Sequence, residues 1–184
     1  MDEFCRIEMK RKDVKYGALM KMYDQLAKHS VTVGIHKEDG REVIGVSNGK
    51  PFTLIQNACI QEFGNTQTVQ KSRRFKSPFT GKWFYLKKGT VITIPPRVFV
   101  RIFSTDKSKQ RELTQVFKQS IELYKYAHPI YENVGDWARL VMKKRILLKQ
   151  VKPKNAPMTV EYKGFNHPLY ATGKLGSAIK SEVH

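Results

Sequence analysis

"TVITIPPRVFVRIF", residues 90–103, divides the chain into two kinds of sequence. Its first half alternates β-branched residues and reads as a strand. Pro95 and Pro96 end that strand, because proline donates no ladder hydrogen bond and fixes the direction in which the backbone leaves. The period then changes. Leu113, Val116, Ser120, Leu123 and Ala127 recur at steps of three and four residues, with Ser104 or Thr105 placed to cap the helix. Pro129 interrupts the pattern, and Ile130, Val134, Trp137 and Val141 resume it. A kink or tight helix-to-helix junction is therefore expected at His128, with helix continuing to Leu148. Strand-rich sequence followed by a long helical region after residue 104 predicts an α+β fold. Its sheet should be small, mostly antiparallel and flanked by helices.

Upstream of this divide, residues 65–90 have the most distinctive local composition. Lys71, Arg73, Arg74, Lys76, Lys82, Lys87 and Lys88 are interleaved with Phe75, Phe79, Trp83, Phe84 and Tyr85, and no acidic residue occurs among them. "SPFTGKWFY" (77–85) reads as a turn between β-forming flanks. The segment is predicted to form an extended basic loop or hairpin arm. Its cations and Trp83 are candidate contacts: lysine and arginine neutralise phosphates and aromatic rings stack on bases, while the same mixture can dock on an acidic protein.

Toward the amino terminus, Leu19, Met22 or Tyr23, and Leu26 place a helix within residues 14–29, and "VTVGI" (31–35) reads as a strand. Asp39-Gly40 and Asn48-Gly49 are turn dipeptides around the β-like "EVIGV" (42–46), which suggests a hairpin or exposed loop. Pro51 can open the next helix, with Leu54, Ile55, Ala58 and Phe63 on its apolar face and Gly64 as its stop. Past the helical region, "KQVKPKNAP" (149–157) is a basic connecting segment without a periodic face.

The 184 residues suit one domain, 1–184, carrying its arm at about 65–90. A hydrophobic fraction of 40% supports a folded core, and a formal charge of +18 implies a polyanionic partner such as DNA, RNA, acidic lipid or an acidic protein. Cys5 and Cys59 have no metal-ligand spacing and are expected to be reduced, buried thiols. The sequence contains no secretory signal pattern and no apolar run near the roughly 20 residues needed to cross a bilayer. A cytosolic origin without a membrane partner is the expectation.

Three stretches of the sequence have residue types suited to chemistry. Thr172-Gly173-Lys174 within "HPLYATGKLGSAI" (167–179) fails as a phosphate loop, because Pro168 stands where the first glycine belongs and Leu175 where a magnesium-binding hydroxyl belongs. The residues read instead as a turn at Gly173 into a short helix, with Leu175 and Ile179 buried on one side. His36 beside Glu38 and Asp39 is the most enzyme-like cluster, but it sits in a predicted turn with no complete site around it. Cys59 reads as packing on a helical face. No catalytic residue, metal site or cofactor is expected.

Several stretches, in order, resemble the tail-completion or virion-morphogenesis proteins of tailed bacteriophages, the type represented by minor tail protein Z and phage Mu protein G. "VTVGI" is similar to that family's first strand, "NACIQEFG" (57–64) to its helix ending in Glu-Phe-Gly, and "ITIPPRVFV" (92–100) to its Ile-Pro-x-Arg-x-Phe signature. "NAPMTVEYKGFNHPLYATGKLGSAI" (155–179) resembles a carboxy-terminal block in which Thr, Lys-Gly, Pro-Leu and Thr-Gly-x-Leu follow one another. The likeness spans roughly residues 14–183. The matching positions are Glu62, Phe63, Gly64, Pro95, Pro96, Arg97, Phe99, Lys163, Gly164, Pro168, Leu169, Thr172, Gly173 and Leu175. Two departures are the larger basic arm and Tyr170-Ala171, where Ile-Asp is commoner.

The motif residues suit structural corners. Gly64 can take a positive φ that ends a helix, Arg97 can pair with Glu62 or with a neighbouring subunit's carboxylate, and Phe99 can anchor the start of the helical region. The resemblance implies a non-enzymatic virion protein of the neck or upper tail, made and assembled in the host cytoplasm. Such a protein completes the tail and joins it to the DNA-filled head, as a ring of sixfold symmetry around the DNA channel. Implied partners are copies of itself, the tail tube or tail terminator, head-tail connector proteins and, through nonspecific contact, genomic DNA. The alternative carried by charge alone is a sequence-nonspecific nucleic-acid-binding protein acting as a monomer or dimer, with "KKRILLKQVKPK" (143–154) adding phosphate contacts.

Overall fold

The computed structural model describes residues 17–184 apart from Leu19 and Asn48. Val14 and Leu19 of the first expected helix, and Cys5, lie outside the described residues. Within them, α1 covers residues 20–27 and leads into β1 (Val31–Ile35). The partner of β1 is β8 (Ile179–Val183), at the opposite end of the described chain, in an antiparallel register from Val31↔Val183 to Ile35↔Ile179.

The fold is α+β, with small antiparallel two-stranded sheets flanked by helices. Asp39-Gly40 does not form a free turn. It closes a single helical turn, α2 (Lys37–Gly40). The expected hairpin follows as β2 (Val43–Ser47) and β3 (Lys50–Thr53), turning through Gly49 at φ +76°. Pro51 therefore lies in β3 and does not open a helix. The true start of α3 (Leu54–Phe63) is a capping box: the Gln56 amide N–H reaches the Thr53 hydroxyl while the Gln56 side chain accepts from the Thr53 N–H. Ile55 and Phe63 point to solvent, and the buried stripe of α3 is Leu54, Ala58 and Glu62, spaced four residues apart.

After α3 the chain enters a long ribbon. β4 (Asn65–Thr68) pairs with β7 (Val91–Ile94), and β5 (Arg73–Lys76) pairs with β6 (Trp83–Leu86). One register runs unbroken from Asn65↔Ile94 to Lys76↔Trp83, so the two ladders form a single hairpin with a break midway. Hydrogen bonds from Val69 N–H to Thr90 O and from Gly89 N–H to Val69 O, 2.9 and 2.8 Å, span that break. The predicted hairpin arm is present.

The chain then turns into helices. α4 (Ile102–Thr105) is one turn that contains Ser104 and Thr105, and the cap of the long helix is Asp106, whose carboxylate accepts from Ser108 and Lys109 N–H. α5 (Lys107–Leu123) and α6 (Ala127–Leu147) meet at residues 124–126, slightly before the expected junction, with Pro129 absorbed in the first turn of α6. Leu123 ends its helix and is 72% exposed, so it does not join the seam. Ser120, fully buried, instead ties the pair: its hydroxyl donates to Val116 O and accepts from Asn133 Nδ2 at 2.8 Å.

α6 carries the core. Met142 and Ile146 belong to one buried cluster with Leu54, Ala58, Phe99, Ile102, Leu175, Ala178 and Ile179. Gly135 lets α6 lie directly on the β1–β8 ladder, because a Cβ there would come within 2.6 Å of Val31 Cγ2. Val151, in the connecting segment that has no periodic face, also joins this cluster. α7 (Pro157–Lys163) and α8 (Lys174–Ser177) lead into β8, and Leu175 and Ile179 are both buried as expected.

Candidate functional site

The corner between α3 and α4 is organised by Glu62. Its carboxylate is 3% exposed and accepts from the backbone N–H groups of Phe99, Val100 and Arg101 at 2.9, 3.0 and 3.2 Å. Those amides precede α4, where the chain lacks internal acceptors, so a side chain from another element supplies them. Arg101 adds an Nε contact at 3.1 Å and lays its guanidinium over the exposed Phe63 ring. Phe99, fixed by this latch, is fully buried in the core.

Arg97 does not pair with Glu62. The carboxylate faces the 99–101 amides, while Arg97 points the other way, donating to Gln61 Oε1 at 2.7 Å and to Pro153 O at 3.0 Å. Burial lowers its pKa from the ordinary arginine value. Lys163 lies near enough that burial first, and the Arg97 charge second, lower its pKa as well. It donates to His167 O at 2.7 Å. Motif residues from both halves of the chain thus meet here. Gly64 completes the corner at φ +79°, with Pro96 and Ile94 O so close that a Cβ would fall 3.0 and 2.9 Å from them. Pro95 is half-buried beside exposed Pro96.

The carboxy-terminal motif is a series of turns. Gly164 caps α7 in the left-handed region and Gly173 precedes α8 in the same conformation. Pro168 is buried, Leu169 packs against the core at φ +60°, and Thr172 is exposed. His167 Nε2–H donates to Ile146 O at 2.7 Å, pinning the segment to α6.

The ribbon has two unlike faces. On one, Phe75, Phe79 and Phe84 surround Tyr162 of α7, with ring centroids 5.8, 6.0 and 5.6 Å away. Ser77 locks this contact: its hydroxyl donates to Tyr162 O and accepts from Phe79 and Thr80 N–H. The ribbon tip is thus anchored on its own chain. Phe84 and Leu86 are buried there, and the opposite face of the same ladder presents Arg74, Lys76, Trp83 and Tyr85 to solvent. Lys71, Arg73, Lys82, Lys87 and Lys88 are also exposed, and Lys82 pairs with Glu161 at 3.2 Å. Sequence reasoning found the ribbon's cations but missed Tyr162 and Ser77, whose partnership depends on contacts 85 residues apart.

His36 is not held by Glu38 or Asp39. Its Nδ1 is 2.5 Å from Glu182 on β8, and Asp39 is taken by Lys180. That hydrogen bond to Asp39, with the nearby acidic charges, raises the Lys180 pKa. Cys59, expected to be buried, is exposed. Among the described residues, no three His, Cys, Asp or Glu side chains gather as a metal-binding group, and no helix is long and apolar enough to cross a membrane. No protein-family model, curated protein or solved structure matches this chain.

Proposed function

We propose that this protein is a structural component of a tailed-bacteriophage neck or upper tail, completing the tail and joining it to the DNA-filled head as a hexameric ring. The reading rests on the resemblance carried by the ordered motifs. The observation that supports it most is what those motif residues do. Glu62, Gly64, Arg97 and Lys163 fix backbone corners and bring the two halves of the chain together, so their roles are architectural.

The surface is consistent with assembly. Val46, Leu123, Tyr126, Leu140, Leu147 and Leu148 are all more than half exposed, which leaves apolar surface available to a subunit contact. A heterologous interface whose rotation closes produces a ring, the shape that caps a rotationally symmetric tube. Tail tube or terminator proteins and head-tail connectors are the proposed neighbours, with assembly in the host cytoplasm.

Native mass spectrometry and electron microscopy test this reading. Closed rings, together with tails that fail to join heads when the gene is deleted, are the expected results. A protein that stays monomeric or dimeric and never associates with particles would overturn it.

A further inference from the structure

We infer that the solvent face of the ribbon, centred on Trp83 and Tyr85, binds a single strand of nucleic acid, with bases stacked on the rings and phosphates on the flanking cations. Trp83 and Tyr85 are 57% and 64% exposed, although large aromatic side chains are ordinarily among the more buried residues. They lie two residues apart on β6, so both rings project from one face, roughly 7 Å apart along the strand. Across the ladder, Arg74 stands opposite Tyr85 and Lys76 opposite Trp83. The Arg74 guanidinium lies over one face of the Trp83 ring, 4.6 Å from its centroid, so a cation is already stacked on an aromatic ring that stays more than half exposed.

Rigidity strengthens the case. The other face of the ladder is held on α7 by Tyr162 and Ser77, so the platform is ordered before any ligand arrives and loses little freedom on binding.

The identity of the ligand follows from charge and shape. Residues 65–90 hold seven cations and no acid, and among the described residues only Lys82 of the seven has an acidic partner, Glu161, so the ribbon attracts a polyanion. This chain's own surface does not offer one around α2 and β8, where Asp39, Glu42 and Glu182 are already held by Lys180, Lys174 and His36. An acidic protein would satisfy the charge, and exposed rings also serve protein interfaces, so poly-glutamate is the competing ligand in the test below. A duplex has its base faces stacked internally. Unpaired bases satisfy both features, since base–aromatic stacking is indifferent to sequence and the flanking cations track the phosphates.

The test uses the full chain and fluorescently labelled oligothymidylate, with a mixed-sequence duplex and poly-glutamate as the other arms. The expected result is tighter binding of the single strand than of either other ligand, with quenching of tryptophan emission. The chain has two tryptophans, and the second, Trp137, packs against Phe103 in the helical region, so Trp83→Phe should remove most of the quenching. Trp83→Ala with Tyr85→Ala should weaken single-strand binding at least about tenfold. Arg74→Gln with Lys76→Gln should lower the salt slope by about 1.4. Equal affinity for single strand, duplex and poly-glutamate at matched charge would overturn the inference. So would unchanged binding by the folded double-alanine variant. Ring formation is measured separately, so failure here leaves the assembly reading standing, and the reverse also holds.

Discussion

The Glu62 carboxylate holds Arg101 at two points: it accepts the backbone N–H of Arg101, at 3.2 Å, and its guanidinium Nε–H, at 3.1 Å. The backbone half of this contact matters more. The Arg101 side chain is substantially exposed, so its ion pair is screened, whereas the Phe99 and Val100 amides have only the same carboxylate to accept them.

That inequality gives an ordered mutant series. Glu62→Ala orphans three amides and should lower stability by about 3 kcal/mol or more. Glu62→Gln keeps the shape but turns a donor toward donors, for a loss of about 1–2 kcal/mol. Arg101→Ala should lose about 1 kcal/mol or less. Urea denaturation orders the three. An Arg101→Ala loss as large as that of Glu62→Ala would mean that the ion pair, and not the amide latch, holds the corner.

Gly64→Ala probes the turn that sends the ribbon away from α3. The backbone sits at φ +79°, and the added methyl meets Ile94 O and Pro96 at about van der Waals overlap. Strain of this kind is worth at least about 2 kcal/mol, and for a chain of this length the melting temperature should fall by roughly 4–8 °C. Calorimetry reads it directly. Gly49→Ala in the β2–β3 turn, at φ +76° with open space around its Cβ, isolates the conformational part from the steric part.

Ser77→Ala should loosen the ribbon without unfolding the domain. The Ser77 hydroxyl ties the tip turn to the last turn of α7, and its loss leaves the Phe79 and Thr80 amides without that acceptor. Amide hydrogen exchange should accelerate across residues 73–86 while α6 stays protected. Uniform acceleration would mean that the ribbon and the core open as one unit.

The pattern of what was legible follows from the range of the interactions. The ribbon could be read because its turn and alternation are local, and Gly64 because a helix stop followed by a strand leaves few conformations. The capping box at Thr53 was equally local but was obscured by Pro51, a proline as acceptable at a strand edge as at a helix start. Hydrophobicity alone places Ile55 and Phe63 inward, yet the four-residue spacing of Leu54, Ala58 and Glu62 marks the buried stripe once a buried carboxylate is allowed. The pairing of β1 with β8 joins Val31 to Val183, and nothing near either strand encodes its partner. Arg97 and Glu62 looked like natural partners by charge, but the backbone donors before α4 had the stronger claim on the acid.

Lys163 offers a pH signature of the junction between the two halves. Burial and the Arg97 charge hold its folded pKa below the usual 10.5, so over a window ending near that value the unfolded chain binds more protons than the folded one. Stability from this group must therefore rise with pH through that window. Lys180 behaves oppositely: Asp39 raises its folded pKa, so its contribution is complete below about 10.5 and is lost only as pH climbs beyond it through the folded value. The two effects occupy different windows. Lys163→Met should flatten the rise below pH 10.5, leaving the slope of Lys143, whose pKa is lowered first by burial and then by Arg139 and Lys180. Arg97→Gln should also flatten it, by removing the charge that disfavours protonation of Lys163. Urea midpoints between about pH 8 and about pH 10.5 measure both slopes. A slope unchanged in Arg97→Gln would show that burial alone sets the Lys163 pKa and that the two motif cations are not electrostatically coupled.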